Sequence, residues 1–274
     1  MKACITEAKD ATPLESNANQ AWINSSGMDR TAADIHKALE QVSQFRQRRL
    51  LDPALASAST QLKRFQAARF KATYADLLYD PRYRTATSFF LKELYSDLDY
   101  TERDQQFARI ANTIARLFPQ AVVDTAAALA DVHALTEQLD DKMAAQWLAH
   151  EQPLDVRQAC ALYICCWRAV ADPGMRARQL EVVLHLGEQL NRLTGKLGLR
   201  SLLRMMRRPA AAAGLSSLQQ FLESGFDAFA DMRGAEEFLS LVKTRESHWI
   251  ERLFHSDAVT CETQLMQLIA PDGV

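Results

Sequence analysis

Histidines one helical turn from carboxylates are the side chains of this chain that could hold a metal, since helical bundles build di-iron sites from such residues. Three sets have this spacing: Glu181 with His185 and Glu188, His133 with Glu137, and Glu251 with His255. The Glu-x-x-His pattern of the di-iron bundles does not occur in the sequence. We therefore expect solvated ion pairs and no metal or other cofactor. Glu181, His185 and Glu188 are the candidate ligands if a metal is bound.

The chain carries no recognisable signature of nucleophilic catalysis or of nucleotide binding. Gly-x-Ser-x-Gly, Walker A and Gly-x-Gly-x-x-Gly patterns do not occur in the sequence. The five cysteines include no Cys-x-x-Cys pair, and Cys160, Cys165 and Cys166 lie in the apolar run 159–167, where cysteine packs as a small hydrophobic residue. This pattern excludes a secreted disulfide scaffold and favours a reduced, cytoplasmic setting. We expect no catalytic activity from these residues.

The strongest local charge pattern is a basic segment at 192–208. It contains no acid and the cations Arg192, Lys196, Arg200, Arg204, Arg207 and Arg208, in a chain whose formal net charge is −2. On a predicted helix over 199–208, the last four of these arginines project opposite the apolar side chains. Such a basic amphipathic helix binds phosphate groups, an anionic membrane surface or an acidic partner. The alternative is a solvated face whose arginines pair with acids of neighbouring helices, such as Glu223 or Asp227.

The composition is typical of a folded globular protein. With 274 residues, 48% hydrophobic and 24% charged, the chain has enough apolar side chains for a core and is not an intrinsically disordered protein. The nearly balanced charge gives no reason to expect sequence-specific nucleic-acid binding. The longest apolar stretch, 159–167, is much shorter than the ~18–20 residues of a transmembrane helix. No apolar signal-peptide core is present, so we expect a cytoplasmic protein.

Helical periodicity runs through almost the whole chain after residue 30, and no segment alternates as a strand does. The pairs Asp52-Pro53, Asp80-Pro81 and Asp172-Pro173 are typical helix starts. Predicted helices cover 31–50, 53–79, 82–95, 101–118, 120–149, 155–170, 173–194, 199–208, 215–231, 234–255 and, with a weaker pattern, 258–269. The glycines at 195 and 198 separate two helices of different apolar face.

The predicted fold class is all-α. We expect a single multi-helix, bundle-like domain over residues 29–274, with about ten helices and mostly antiparallel neighbours. Residues 1–28 have no amphipathic period and are predicted to be a disordered leader. Whether Met28 is the true start or an ordinary internal residue stays open.

The segment Phe89-Phe90-Leu91-Lys92-Glu93-Leu94-Tyr95 resembles the motif of a functionally uncharacterised bacterial family named for the sequence FFLEELY. Lys92 replaces the first motif glutamate, and Ser96 stands where glycine is expected. The flanking pairs Tyr83-Arg84 and Arg103-Asp104 also fit the family pattern. The resemblance spans roughly residues 31–254. It implies a shared helical fold and no particular activity.

The predicted helix 82–95 contains this motif, and we call it the motif helix. Its residues have two interpretations. In the first, Tyr83, Phe90, Leu91 and Leu94 fill a core between helices, and Glu93 pairs with Arg103 or Arg84 across the following turn. In the second, an aromatic-lined pocket has polar groups at its wall. The residues of that candidate pocket are Tyr83, Arg84, Glu93, Tyr95 and Arg103.

Two functions follow from these patterns. The first is a cytoplasmic, non-catalytic interaction or regulatory protein that binds a protein or another anionic partner through the basic helix 199–208. The alternative is a small-molecule- or metal-binding helical bundle, which would allow an enzyme, with its pocket near the Tyr83–Tyr95 helix. A cavity at the candidate pocket would favour the alternative, and a solid core there would favour the interaction protein. The sequence does not predict the oligomeric state.

Overall fold

The computed structural model describes residues 30–94, 96, 98–150, 155–196 and 198–270. All regular elements in these ranges are helices, so the all-α prediction is confirmed. The predicted leader 1–28 lies outside the described residues, and the single domain over 29–274 stays a prediction. Among the described helices, none combines the length and the apolar content that crossing a bilayer requires.

The helices follow one another with short connections. In chain order they are α1 (Ala32–Leu51), α2 (Pro53–Thr73), α3 (Ala75–Tyr79), α4 (Arg84–Leu94), α5 (Thr101–Leu117), α6 (Gln120–Leu148), α7 (Val156–Val170), α8 (Pro173–Thr194), α9 (Leu199–Met205), α10 (Arg207–Ala212), α11 (Ser216–Asp231), α12 (Glu236–His255) and α13 (Ala258–Ile269). Two of the predicted helices are each divided, 53–79 at Tyr74 and 199–208 at Met206.

Aspartate caps set two of the three helix starts that were predicted at Asp-Pro pairs. The Asp52 carboxylate accepts from the backbone N–H groups of Ala54 and Leu55, and Asp172 accepts from Met175. These bonds satisfy donors that have no partner within the helix. Asp80 accepts from the N–H of Arg82 instead, and the helix begins only at Arg84, because residues 81–83 form a turn.

The long helix α6 is the centre of the packing, because it contacts α1, α2, α5, α7 and α8. Within the described ranges, buried side chains form three clusters. The first surrounds Trp147 between α2, α6, α7, α12 and α13. The second surrounds Phe238 and joins α4 to α11 and α12. The third surrounds Phe107 between α1, α5, α6 and α11. The helices α6, α11 and α12 therefore each support more than one cluster.

The helices α9 and α10 lie at the periphery, and we call residues 199–212 the arginine segment. Ala210 is the one buried residue that these two helices contribute. The segment is bracketed by glycines in left-handed backbone conformation, Gly198 with φ of 83° and Gly214 with φ of 65°. Both α9 and α10 pack on α11, so this helix is the support on which the arginines are presented.

Candidate functional site

The arginine segment presents a row of guanidinium groups to the side of α11. Arg200 and Arg204 lie one helical turn apart on α9, and Arg207 is the first residue of α10. All three side chains extend towards α11. They are 44%, 52% and 61% exposed. The row therefore lies at the surface, where it can reach a second molecule.

The facing side of α11 carries carboxylates at the same interval, on Glu223, Asp227 and Asp231. Arg200 donates from Nε to Asp227 Oδ1 at 2.6 Å, and its Nη2 lies 3.7 Å from Asp231 Oδ1. Arg204 Nη2 lies 3.9 Å from Asp227 Oδ2. Arg207 donates from Nε to both carboxylate oxygens of Glu223, at 2.9 and 2.7 Å. Three arginines thus pair with three carboxylates of a neighbouring helix, as the alternative interpretation of the basic segment requires.

The pair at Glu223 is the best formed of these contacts. Gln219 donates to Glu223 Oε1 at 2.8 Å and to the backbone carbonyl of Leu203 at 2.7 Å, so it ties α11 to α9. The hydrogen bond from Arg207 lowers the pKa of Glu223 and raises the pKa of Arg207. At neutral pH both groups are charged.

Other cations of the basic segment have no such partner. In the described part of the chain, no carboxylate lies within 4.0 Å of Arg192, Lys196 or Arg208. Arg208, one of the four arginines of the predicted binding face, is exposed next to the Arg207–Glu223 pair. The site therefore holds both paired and unpaired cations.

An open cleft of about 420 Å³ runs along this pairing, with Arg207, Gln220 and Ser224 on its walls. A second, smaller depression lies between Arg200, Arg204 and Phe226. The cleft is lined by charged and polar groups of α10 and α11, whereas the depression also has the apolar Leu203 at its wall. A surface of this kind suits charged side chains or phosphates rather than an apolar small molecule.

The residues of the predicted pocket near the motif helix lie in different surroundings. Tyr83 is buried in the second core cluster, where its ring stacks on Phe238 at 6.0 Å and its hydroxyl donates to Glu237. Arg84 is exposed and donates to the carbonyl oxygens of Leu78 and Tyr79. Tyr95 lies outside the described residues. Tyr83 therefore has the core role of the first interpretation.

Glu93 and Arg103 are brought together, as the sequence suggested. Arg103 Nη1 donates to Glu93 Oε2 at 3.0 Å, and both side chains are largely shielded from solvent. The guanidinium also lies 4.1 Å from the ring centroid of Tyr100 and 4.7 Å from that of Phe221. This contact joins α4 and α5 to α11. The pocket itself stays a prediction.

The candidate metal ligands on α8 point to solvent. Glu181 is 72% exposed with Arg178 at 3.7 Å, and His185 bonds to Gln189 on the same helix. Glu188 is exposed as well. Across the described ranges, no three side chains of His, Cys, Asp or Glu are grouped so that they could hold a metal ion. Glu251 and His255 also form an exposed pair, 3.9 Å apart.

Sequence reasoning was wrong about His133 and Glu137, which do not form a solvated pair on one helix. His133 Nε2 bonds to Asp104 of α5 at 2.8 Å, and Arg46 of α1 donates to the same carboxylate. Burial alone would raise the pKa of Asp104, but the hydrogen bond from His133 and the nearby Arg103 and Arg46 lower it to about 2. Tertiary contacts explain the error, since both side chains face other helices and not water.

This contact is part of a row of polar side chains along α6 that is buried against α1 and α2. Glu137 accepts from Arg49 and from Lys63, each at 2.6 Å. Asp140 accepts from Gln66 at 2.9 Å, and Asp141 from Arg48 at 2.7 Å. The spacing i, i+4, i+7 and i+8 from His133 was the signal in the sequence. These contacts fasten α6 to α1 and α2, and each of the three carboxylates accepts a hydrogen bond from at least one of those helices.

The buried cysteines are also poorly suited to nucleophilic chemistry. Cys160, Cys166 and Cys261 are buried free thiols. Burial raises the pKa of Cys160 and of Cys166 to about 12. A thiolate nucleophile is therefore not available at these positions.

Comparison with known proteins gives a family but no activity. The model of one family, described as a domain of unknown function (DUF8198), matches residues 44–260. No curated protein and no solved structure matches the chain. An uncharacterised family is thus confirmed. That it is the family named for FFLEELY, and that the chain is bacterial, stay predictions.

Proposed function

The chain belongs to this family of unknown function, DUF8198, and we propose that it is a non-catalytic interaction protein that binds an anionic partner through Arg200, Arg204, Arg207 and Arg208. We also propose that it acts in the cytoplasm, as its sequence suggests. The observation that carries the proposal is the arginine segment, a peripheral pair of helices with exposed arginines, no acid of its own and one buried residue.

The present partners of Arg200 and Arg204 can be exchanged at small cost. Pairs as exposed as those of Arg200 and Arg204 contribute only about 0–1 kcal/mol each. A ligand that offers carboxylates or phosphates in their place would recover that energy and add contacts to Arg208. The buried ion pairs of α6 differ, because separating them would leave charges without solvent.

The proposal is tested by removing the charge of the site without changing its shape. In the variant Arg200→Gln, Arg204→Gln, Arg207→Gln and Arg208→Gln, we expect weaker binding to poly-L-glutamate and to phosphatidylserine-containing vesicles at low salt. Added salt should weaken wild-type binding similarly, since exposed charges are screened over ~8–10 Å.

A matched control removes four exposed cations elsewhere, by Lys37→Gln, Lys71→Gln, Arg116→Gln and Lys243→Gln. It changes net charge equally and should leave binding close to wild type. Equal loss in both variants, or no binding of either probe by the wild type, would overturn the proposal.

The alternative function is a small-molecule- or metal-binding bundle near the Tyr83–Tyr95 helix. Its support is the shielded Glu93–Arg103 pair, which stands beside aromatic rings. Native mass spectrometry with metal analysis of the purified chain tests it directly. A bound molecule or metal that is lost on Glu93→Gln would favour this alternative.

A further inference from the structure

We propose that the arginine row recognises an acidic helix of a partner protein, and that the acidic face of α11 occupies the row until that helix displaces it. The inference rests on the proposed function and names its partner. It concerns Arg200, Arg204 and Arg207, together with the three carboxylates they contact.

The order of the ion pairs between the arginines and α11 indicates which partner the arginine row would fit. Arg200, the first arginine, contacts Asp227 and Asp231, whereas Arg207, the last, contacts Glu223. The helices α9 and α10, which carry the arginines, therefore run antiparallel to α11 with intervals of about one turn, or ~5.4 Å along the axis. Any helix with carboxylates at i, i+4 and i+8 reproduces the pattern that α11 presents.

Two of the three carboxylates that hold the arginine segment to α11 are accessible to solvent. Asp227 and Asp231 are 35% and 49% exposed, so their pairs with Arg200 are accessible to solvent. Leu203 is only half-buried, and Ala210 is the one buried residue of the segment. The left-handed glycines at 198 and 214 lie where the chain enters and leaves it. The segment can therefore separate from α11 without opening the three core clusters.

A membrane surface fits the observations less well than a helix. Lipid phosphates have no fixed spacing, so Arg192, Lys196 and Arg208 would bind them as well as the paired arginines do. The paired arginines alone are held at the interval of a helical carboxylate row. The exposed apolar residues Leu202 and Met205 are what a bilayer would use. The membrane is therefore an outcome that the test must be able to reveal.

The first measurement is the affinity of a fluorescently labelled, alanine-based helical peptide with glutamates at i, i+4 and i+8. A peptide of the same composition with its glutamates distributed around the helix is the control. We expect the variant Glu223→Gln, Asp227→Asn and Asp231→Asn to bind the first peptide about tenfold more tightly than wild type, because the internal competitor has lost its charge. Glu40→Gln, Glu181→Gln and Glu251→Gln make the same charge change elsewhere and should bind as wild type does.

Two arginine variants of equal charge separate helix recognition from general attraction. Arg200→Gln, Arg204→Gln and Arg207→Gln should abolish the preference for the ordered peptide. Arg192→Gln, Lys196→Gln and Lys243→Gln, which lie outside the proposed binding residues, should retain it. Equal loss in both variants, or stronger binding to phosphatidylserine vesicles than to the peptide, would refute the recognition of an acidic helix. Only a general attraction between this surface and anions would then remain.

Limited trypsin digestion tests the internal contact without any ligand. Cleavage after Arg200 and Arg204 should be faster in the acid-neutralised α11 variant than in wild type or its control. Unchanged cleavage and unchanged peptide affinity would overturn this inference and leave the proposed function intact. If the wild type binds none of the anionic probes, the proposed function itself fails.

Discussion

Replacing Glu137 by glutamine should destabilise the protein through the loss of a buried charge. Glu137 lies on α6, and its two carboxylate oxygens accept from Lys63 and Arg49 at 2.6 Å. Burial alone would raise its pKa, but the two cations lower it to about 2 from an ordinary value of 4.5. At about 1.4 kcal/mol per pKa unit, the charged form stabilises the fold by about 3 kcal/mol.

The pH dependence distinguishes charge from shape. Because the pKa of Glu137 is lower in the folded than in the unfolded state, its stabilisation is complete above the unfolded value. It is lost as the pH falls through the folded value, from about 4.5 towards about 2. The difference in unfolding free energy between wild type and Glu137→Gln should therefore be largest at neutral pH and should shrink in acid.

Denaturant unfolding followed by circular dichroism measures this difference at each pH. Glu181→Gln is the control, since that side chain is 72% exposed, and it should change stability little at any pH. If Glu137→Gln destabilises the protein equally at neutral and acid pH, the loss comes from altered packing of the glutamine side chain and not from the lost charge. A neutral-pH loss below about 1 kcal/mol would refute the role assigned to the ion pairs.

Three further outcomes are expected. Phe90→Ala should lower the unfolding free energy by about 3 kcal/mol, because the ring packs between Phe229 and Phe238, and an unchanged urea midpoint would place it outside the core. Cys160 and Cys166 should react with a thiol reagent only on unfolding, since burial raises the pKa of each to about 12, and rapid labelling of the native protein would contradict this. Chelator treatment should leave the melting curve unchanged, whereas a lowered midpoint would indicate a structural metal.

The positions of the helices could be predicted largely from local chemistry. The caps at Asp52 and Asp172 start helices where an aspartate precedes proline. The break between α8 and α9 falls at the glycines 195 and 198, as expected. The breaks at Tyr74 and Met206 were not predicted. The break at Met206 has a local cause, because Pro209 cannot donate to the carbonyl of Met205 four residues earlier. The sequence next to Tyr74 contains neither glycine nor proline, so tertiary packing decided that position.

The buried charges of α6 could not be predicted from one helix. A polar face on a helix usually points to solvent. The sequence has the same periodicity when that face packs against a charged face of another helix, so the pattern does not distinguish the two cases. The partners Arg49 and Lys63 lie more than 70 residues from Glu137 in sequence. Arg49 also stands in the last turn of α1, where a cation is explained by the helix dipole alone. Only the packing of α1 and α2 on α6 shows that these charges meet.

The motif helix and the arginine row are connected through α11. This connection gives the aromatic residues of the motif a structural role. On one side of α11, Phe89 packs against Gly225, where an added Cβ would meet the ring at 3.0 Å. The ring of Phe221 contacts both Phe89 and the guanidinium of Arg103. On the other side, α11 presents the carboxylates that hold the arginine segment. Because a rotation of α11 would move those carboxylates out of register, the aromatic residues of the motif position the surface that we propose as the binding site.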